Sequence, residues 1–297
     1  MMSPHTKNPK ERVIEALLAG SAGVSILTTV GIVYILLSQA LRFFGEVSLW
    51  EFLTDTQWTP LYSDKHYGIL PLLTGTLLTT LIALAVAIPL GLTTAVYLNM
   101  YSSARFKRVV KPLLELLAAV PTVVYGFFAL AVITPALQVI IPNLSGFNAL
   151  SAGMVMGVMI IPLISSLCED ALSAIPKSLK EASYGMGATK YQTAIRVVIP
   201  AAFSGIMVSV LLALSRAVGE TMIVAVAAGQ QPNLTLNPLV PIETITTYIV
   251  QISSGDVAHD SNEFRTIYAA GITLFVFTFI LNNIGSWITR KYQQKYE

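Results

Sequence analysis

The chain has 297 residues, 54% hydrophobic and 11% charged, with a net charge of +2 and a mean hydropathy of +0.69. A water-soluble domain carries about 25% charged residues, so the composition points to an all-α polytopic membrane protein rather than a soluble domain. The small net charge gives no footprint for nucleic acid, and the single cysteine, Cys168, rules out a disulfide framework and reads as a small packed residue.

A bilayer core of about 30 Å needs roughly 20 apolar residues per helix. Six segments qualify: 16–41, 72–98, 113–141, 149–168, 200–228 and 267–288. The first is too long for a signal-peptide core and lacks a small-residue cleavage site behind it, so it reads as a retained helix. The expected organisation is one transmembrane domain, 16–289, between tails at 1–15 and 290–297.

The cations fall on one side of this pattern. Lys7, Lys10 and Arg12 precede the first span, and Arg105, Lys107, Arg108 and Lys111 follow the second. Lys177, Lys180, Lys190 and Arg196 follow the fourth, and Arg290, Lys291 and Lys295 follow the last. The other connections hold only Arg42, Lys65 and Arg265. By the positive-inside bias, both termini are cytoplasmic and the outer loops are 42–71, 142–148 and 229–266. In the outer loops Trp50, Trp58, Tyr62 and Tyr67 suit an interfacial aromatic belt, and "IETITTYIVQISSG" reads as a short helix lying on the outer surface.

Along the spans, Thr76 and Thr80 share a face of the second and can offer hydroxyls to an anion, although such threonines more often satisfy their own helix. In the third, Pro121 removes a backbone donor and should free a carbonyl near Thr122 and Tyr125. A pathway and a plain packing kink fit that feature equally. Glu169 and Asp170 read as the polar inner end of the fourth span.

The inner segment 169–200 is too regular for a loop. Pro176 opens one helix, Gly185 and Gly187 end it, and Thr189 caps a second that should stop before Pro200. An interfacial helix pair resting on lipid is the plain alternative.

The fifth span then carries "ALSRAVGETM", which places Arg216 and Glu220 within an apolar run. A mid-bilayer arginine costs about 2.5–3.5 kcal/mol on insertion scales, so it needs an interior position and a partner. Glu220, four residues on, is one helical turn away and can pair with Arg216 on the same face. The pair either locks helix packing or serves as a pathway cation held in check by a carboxylate. Arginine suits the second role because its planar fork matches oxyanion oxygens.

Glu181-Ala182-Ser183, Gly187, Val197 and Ile199-Pro200 resemble the cytoplasmic signature of ABC-importer permeases: Glu-Ala-Ala, three residues, Gly, nine residues, Ile, one residue, Leu-Pro. "ALSRAVGETMIVAVAAG", "PIETITTYIVQISSGD" and "KPLLELLAAVPTVVYGFFAL" extend the likeness, over essentially the whole chain, to phosphate-specific ABC importer permeases of the PstC type. The resemblance implies a type I importer permease (MetI-like) fold in the bacterial inner membrane. It implies phosphate translocation involving Arg216, Glu220 and Thr221, and coupling to an ATPase through Glu181, Ala182, Ser183, Gly187 and Pro200.

The same likeness implies a sister permease forming a heterodimer, two ATP-binding subunits and an external phosphate-binding protein. ATP and magnesium would sit on the ATPase, since no phosphate-cradling loop occurs in this chain. No metal site or catalytic constellation is expected, because His5, His66 and His259 all fall in tails or outer loops. Other readings are the sister permease itself, a sulfate or molybdate permease, and an ion-driven secondary transporter.

Overall fold

The structure is a computed structural model that describes residues 9–291. The distal parts of the two tails, with His5, Lys7 and Lys295, lie outside the described residues. Among the described residues every regular element is helical, and five helices are long and apolar enough to cross a bilayer, or six if one bent pair counts as a span.

Helix α1 (Pro9–Phe44) is almost wholly exposed along its apolar length and packs on one other long helix, α14 (Asn262–Lys291). It is a peripheral element of the chain. Short α2 (Leu49–Thr54) follows, and then α3 (Leu70–Val96) enters the middle of the molecule. Gly75, Thr79, Ala83, Ala87, Gly91 and Ala95 repeat every four residues along α3 and are all buried. This small stripe lets α3 lie close to α7 (Ala149–Ser173), where Gly153 and Gly157 answer it. A Cβ at Gly157 would sit 2.7 Å from the Ala83 carbonyl oxygen, so the two backbones pack without intervening side chains.

The third span differs from the expected single helix at 113–141. Helix α4 (Ala104–Ala118) is amphipathic, and α5 (Thr122–Phe128) restarts after Pro121. A π turn at Ala129–Ile133 then leads into α6 (Thr134–Ile140). Proline cannot donate to the preceding turn, and the break is closed instead by the Tyr125 hydroxyl donating to the Leu117 carbonyl at 2.8 Å.

The fifth span is broken twice. Helix α8 (Lys177–Gly185) turns into α9 (Lys190–Thr193), which runs through a π turn at Ala194–Val198 into α10 (Ile199–Ala201). The second helix therefore does not stop before Pro200. Proline stands in the first turn of α10, where its missing N–H costs nothing, and the break falls at Ala202. Beyond a 72° bend lies α11 (Phe203–Val218), which ends at Gly219, and α12 (Met222–Ala227) resumes after Thr221.

Helix α13 (Ile245–Ser254) does not lie on the outer surface. Ile245, Thr246, Thr247, Tyr248 and Ile252 are buried, and it is tucked against α3 and α14. Trp58 and Tyr67 also leave the expected belt, at 2% and 9% exposure, and pack edge-to-face with Phe52, Phe43 and Tyr248 in a small outer core. Trp50 and Tyr62 stay exposed. Cys168 is buried, as a small packed residue should be.

Candidate functional site

Helix α11 carries Arg216 one turn before its end, and the end decides what the arginine can reach. Because Gly219 closes the helix, Glu220 is no longer one helical turn along the same face. Among the described residues no ion pair joins Arg216 to Glu220. The guanidinium instead donates to Met159 Sδ at 3.4 Å. Glu220 is 8% exposed; its carboxylate accepts from the Ile223 N–H at 3.4 Å and its carbonyl accepts from the Thr246 hydroxyl at 2.9 Å. The expected pair is therefore replaced by a division of labour, in which Glu220 organises the α11–α12 break and α13 while Arg216 faces elsewhere. Thr221 donates to the Gly219 carbonyl at 3.3 Å inside the same break.

Arg216 opens on a cavity of about 330 Å³ between α4, α7 and α11. Lys111, Leu114, Glu115 and Ala118 line it from α4, spaced as one helical face. Met159, Pro162, Ser165 and Ser166 line it from α7. Arg216 is exposed on the chain's own surface. A charged group on an apolar helix does not face lipid at low cost, so this face belongs to a water-filled path or to a partner.

Next to the cavity, reached through its lining residue Lys111, Glu169, 1% exposed, is flanked by Lys107 and Lys111, and Lys111 Nζ also lies 3.1 Å from Asp170 Oδ1. The hydrogen bond to Glu169 holds the Lys111 ammonium above the usual lysine range. Ser173 donates to Glu169 at 2.7 Å and receives from Asn99 at 2.8 Å, and Lys180 of α8 donates to Asn99 at 2.8 Å. Burial, with Lys107 close by, pushes the Lys180 ammonium down. This chain of contacts joins the 169–200 elbow to α4 and α7. Sequence reasoning missed it by counting Lys107 and Lys111 only as loop charges; the helical spacing of Lys107, Lys111, Leu114 and Ala118 was the available signal.

The first helix of the elbow, its glycine turn and the restart at Thr189 are as expected. Gly187 has φ +81°, and Ala188 donates to the Ser183 carbonyl while Gly187 donates to that of Tyr184, a glycine-dependent helix stop. Thr189 and Gln192 form a reciprocal cap on α9. Ser183 and Thr193 hydroxyls meet at 2.9 Å, which ties the two helices together. Glu181, Ala182, Gly187 and Pro200 are exposed, beside Tyr184 at 41%, Met186 at 88% and Tyr191 at 68% exposure.

The remaining pathway residues are dispersed. Thr76 is 1% exposed and its hydroxyl receives the Ile245 N–H at 3.1 Å, so it anchors α13. Thr80 is buried beside it without a hydrogen-bond partner among the described residues. Pro121 and Thr122 sit at the α4–α5 break, and Tyr125 closes it. None of these lines the Arg216 cavity. Among the described residues no cluster of metal-ligating side chains occurs.

Residues 87–294 match the family described as "Binding-protein-dependent transport system inner membrane component". The chain is 35% identical over 266 residues to a "Probable ABC transporter permease protein YqgH" of Bacillus subtilis, covering 89% of this chain and 86% of that protein. It is 34% identical over 272 residues to a "Phosphate transport system permease protein PstC" of Mesorhizobium japonicum, covering 84% and 80%. A probable protein of that name from Methanocaldococcus jannaschii is 30% identical over 253 residues, with 78% of each chain covered. Among solved structures the fold resembles a bacterial alginate ABC transporter in complex with a pentasaccharide-bound periplasmic protein, at TM-score 0.65 and 16% identity, covering 97% of this chain and 99% of that one. It also resembles an inward-facing MetNI methionine ABC transporter, at TM-score 0.57 and 19% identity, covering 76% and 95%.

Proposed function

The chain belongs to the family of binding-protein-dependent transport system inner membrane components, and from that premise we propose that it is the permease subunit of an ABC importer that carries inorganic phosphate inward. The observation that carries the reading is Arg216: an arginine without a counter-ion among the described residues, on an apolar helix, opening on a cavity. Its fork can hold an oxyanion through paired hydrogen bonds. Relatives named as phosphate permeases narrow the oxyanion to phosphate. The solved neighbours, which handle methionine and alginate, share only the fold and say nothing of cargo.

The assembly we infer pairs this chain with a sister permease, so that the exposed Arg216 face borders a shared path. Two ATP-binding subunits dock beneath, at the exposed apolar elbow of Ala182, Tyr184, Met186 and Tyr191, with Glu181, Ser183, Gly187 and Pro200 shaping it. Both termini and this elbow lie in the cytoplasm, in keeping with the placement of lysine and arginine. An external phosphate-binding protein meets the opposite face. ATP and magnesium act on the ATPase subunits, and closure there moves the elbow. Lys180, Asn99, Ser173 and Glu169 then carry the movement to α4 and α7, the walls of the cavity. Glu220 and Thr221 hold the break that lets Arg216 change its exposure.

The test is uptake of labelled phosphate by vesicles holding this chain with and without its partners. ATP-dependent uptake that requires the ATPase and the binding protein supports the reading. Uptake by this chain alone, driven by an ion gradient, would replace it with a secondary transporter.

A further inference from the structure

Arg216 shares its cavity with a carboxylate that is not Glu220. Glu115 lines the same space from α4, one turn beyond Lys111, and is exposed. Neither Glu115 nor Arg216 has an ion-pair partner among the described residues, whereas Lys107 and Lys111 share the charges of Glu169 and Asp170. The inner cluster of two cations and two anions is therefore neutral, and the two unpaired charges of the cavity are of opposite sign and stand on different helices. The structure holds them apart, with the guanidinium donating to Met159 Sδ, and opposite charges brought together as the walls close would attract one another. The wall between them also has spare donor capacity: the Ser165 hydroxyl is buried without a hydrogen-bond partner, and Ser166 is half-buried beside it.

We propose that Glu115 competes with the transported anion for Arg216. With the anion in place, Arg216, Ser165 and Ser166 hold it and Glu115 is kept off. When the cavity narrows, Glu115 takes the guanidinium and the anion leaves past Lys111, whose charge is already neutralised and so does not retain it. Helix α4 can make this approach by pivoting about its ion pairs to Glu169 and Asp170, because at the Ala119–Pro121 break it is joined to α5 through the Tyr125–Leu117 hydrogen bond rather than a continuous helix. The role that spacing assigned to Glu220 passes to a residue about a hundred positions earlier. This inference rests on the phosphate-permease reading.

The measurement is equilibrium binding of labelled phosphate to the purified complete transporter without ATP, together with the maximal uptake rate of the same preparation in vesicles. Glu115→Gln and Glu115→Ala should each bind phosphate at least fivefold more tightly than wild type and turn over at least fivefold more slowly. Glu115→Asp should restore both values to near wild type. A merely structural residue would weaken binding and rate together. Wild type that moves phosphate, with neutral variants that bind it no more tightly, overturns the competition alone. Loss of the assembled complex in both neutral variants makes Glu115 a packing residue and also overturns it. Wild type that moves no phosphate at all removes the cargo reading and the inference with it.

Discussion

At His66 the imidazole lies between two carboxylates, with Nδ1 2.8 Å from Asp55 Oδ2 and Nε2 3.5 Å from Asp64 Oδ2. Two carboxylates at these distances favour the form in which both ring nitrogens carry a proton, the charged one. The hydrogen bond from His66 Nδ1–H to the Asp55 carboxylate raises the His66 pKa above its ordinary 6.5, with burial opposing. For Asp55 burial alone would raise the carboxyl, but the bonds from His66 and the Gln57 N–H hold it below its ordinary 3.8. A raised histidine stabilises the fold fully below its unfolded pKa and loses that contribution as pH rises through its folded value. A depressed aspartate contributes above its unfolded value and fails only in acid. The outer loop should thus be firmest in mildly acidic solution and loosen above neutrality. Hydrogen exchange at Gly68, whose N–H donates to the Gln57 carbonyl at 2.8 Å, reads this directly. Protection, after correction for intrinsic rates, should hold up to the ordinary histidine value and fall as pH rises beyond it, and His66→Gln should remove that dependence; a pH-independent wild type would contradict the assignment. The residue scale is also where spacing misleads. Arg216 and Glu220 are four apart, but the geometry that makes such residues neighbours holds only within one helix, and Gly219 ends it.

At the scale of elements, glycines do two different things. In the α3–α7 contact they remove bulk: a Cβ at Gly157 would meet the Ala83 carbonyl oxygen at 2.7 Å and Val86 Cβ at 2.8 Å. Backbone cannot swing aside as a side chain can, so Gly157→Ala should destabilise the folded protein by about 1–3 kcal/mol, as overpacking does. A thermal scan of the purified complex in detergent would show the loss, and an unchanged midpoint would mean that the helices separate freely. In the elbow, Gly187 has nothing within 4 Å of an added Cβ but a φ of +81°. Gly187→Ala therefore acts through the backbone alone, at about 1–2 kcal/mol, and should lower uptake per ATP hydrolysed more than it lowers the amount of assembled complex. Uptake per ATP equal to wild type would remove the turn from the coupling path. The elbow was legible in the sequence because proline, glycine and threonine mark helix ends by local chemistry. The kink at Pro121 was legible for the same reason, whereas the break at Gly219 was not, because a hydropathy window averages over it and the spacing of Arg216 and Glu220 reads as one helix. Trp58 and Tyr67 were misassigned for a related reason: an aromatic residue suits an interfacial belt and a small core equally, and only their contacts decide.

On the scale of the whole molecule, two regions of different character stack along the helices. The outer one is an aromatic core of Phe43, Phe52, Trp58 and Tyr248, clamped by ion pairs from Lys65 to Glu263 and from Arg265 to Glu46. The inner one is the polar chain from Lys180 to Glu169 and the lysines of α4. Between them lies the Arg216 cavity, bounded by helices that are interrupted at Pro121 and Gly219. A firm aromatic end, a jointed middle and a polar end wired to the elbow are what an importer needs if movement at the elbow is to change access at one arginine. Fold and family were readable from apolar segments and the elbow signature, whereas the cavity, which joins α4 to α7 and α11, is a product of tertiary packing. The most direct test is uptake of labelled phosphate by the complete transporter in cells without their own high-affinity system, comparing wild type with Arg216→Ala in the presence of sulfate or arsenate. The account predicts uptake blocked by arsenate, indifferent to sulfate, and reduced at least a hundredfold by the substitution at equal protein level, the loss expected when a bidentate charged contact is removed. Phosphate uptake by Arg216→Ala at the wild-type rate would contradict it.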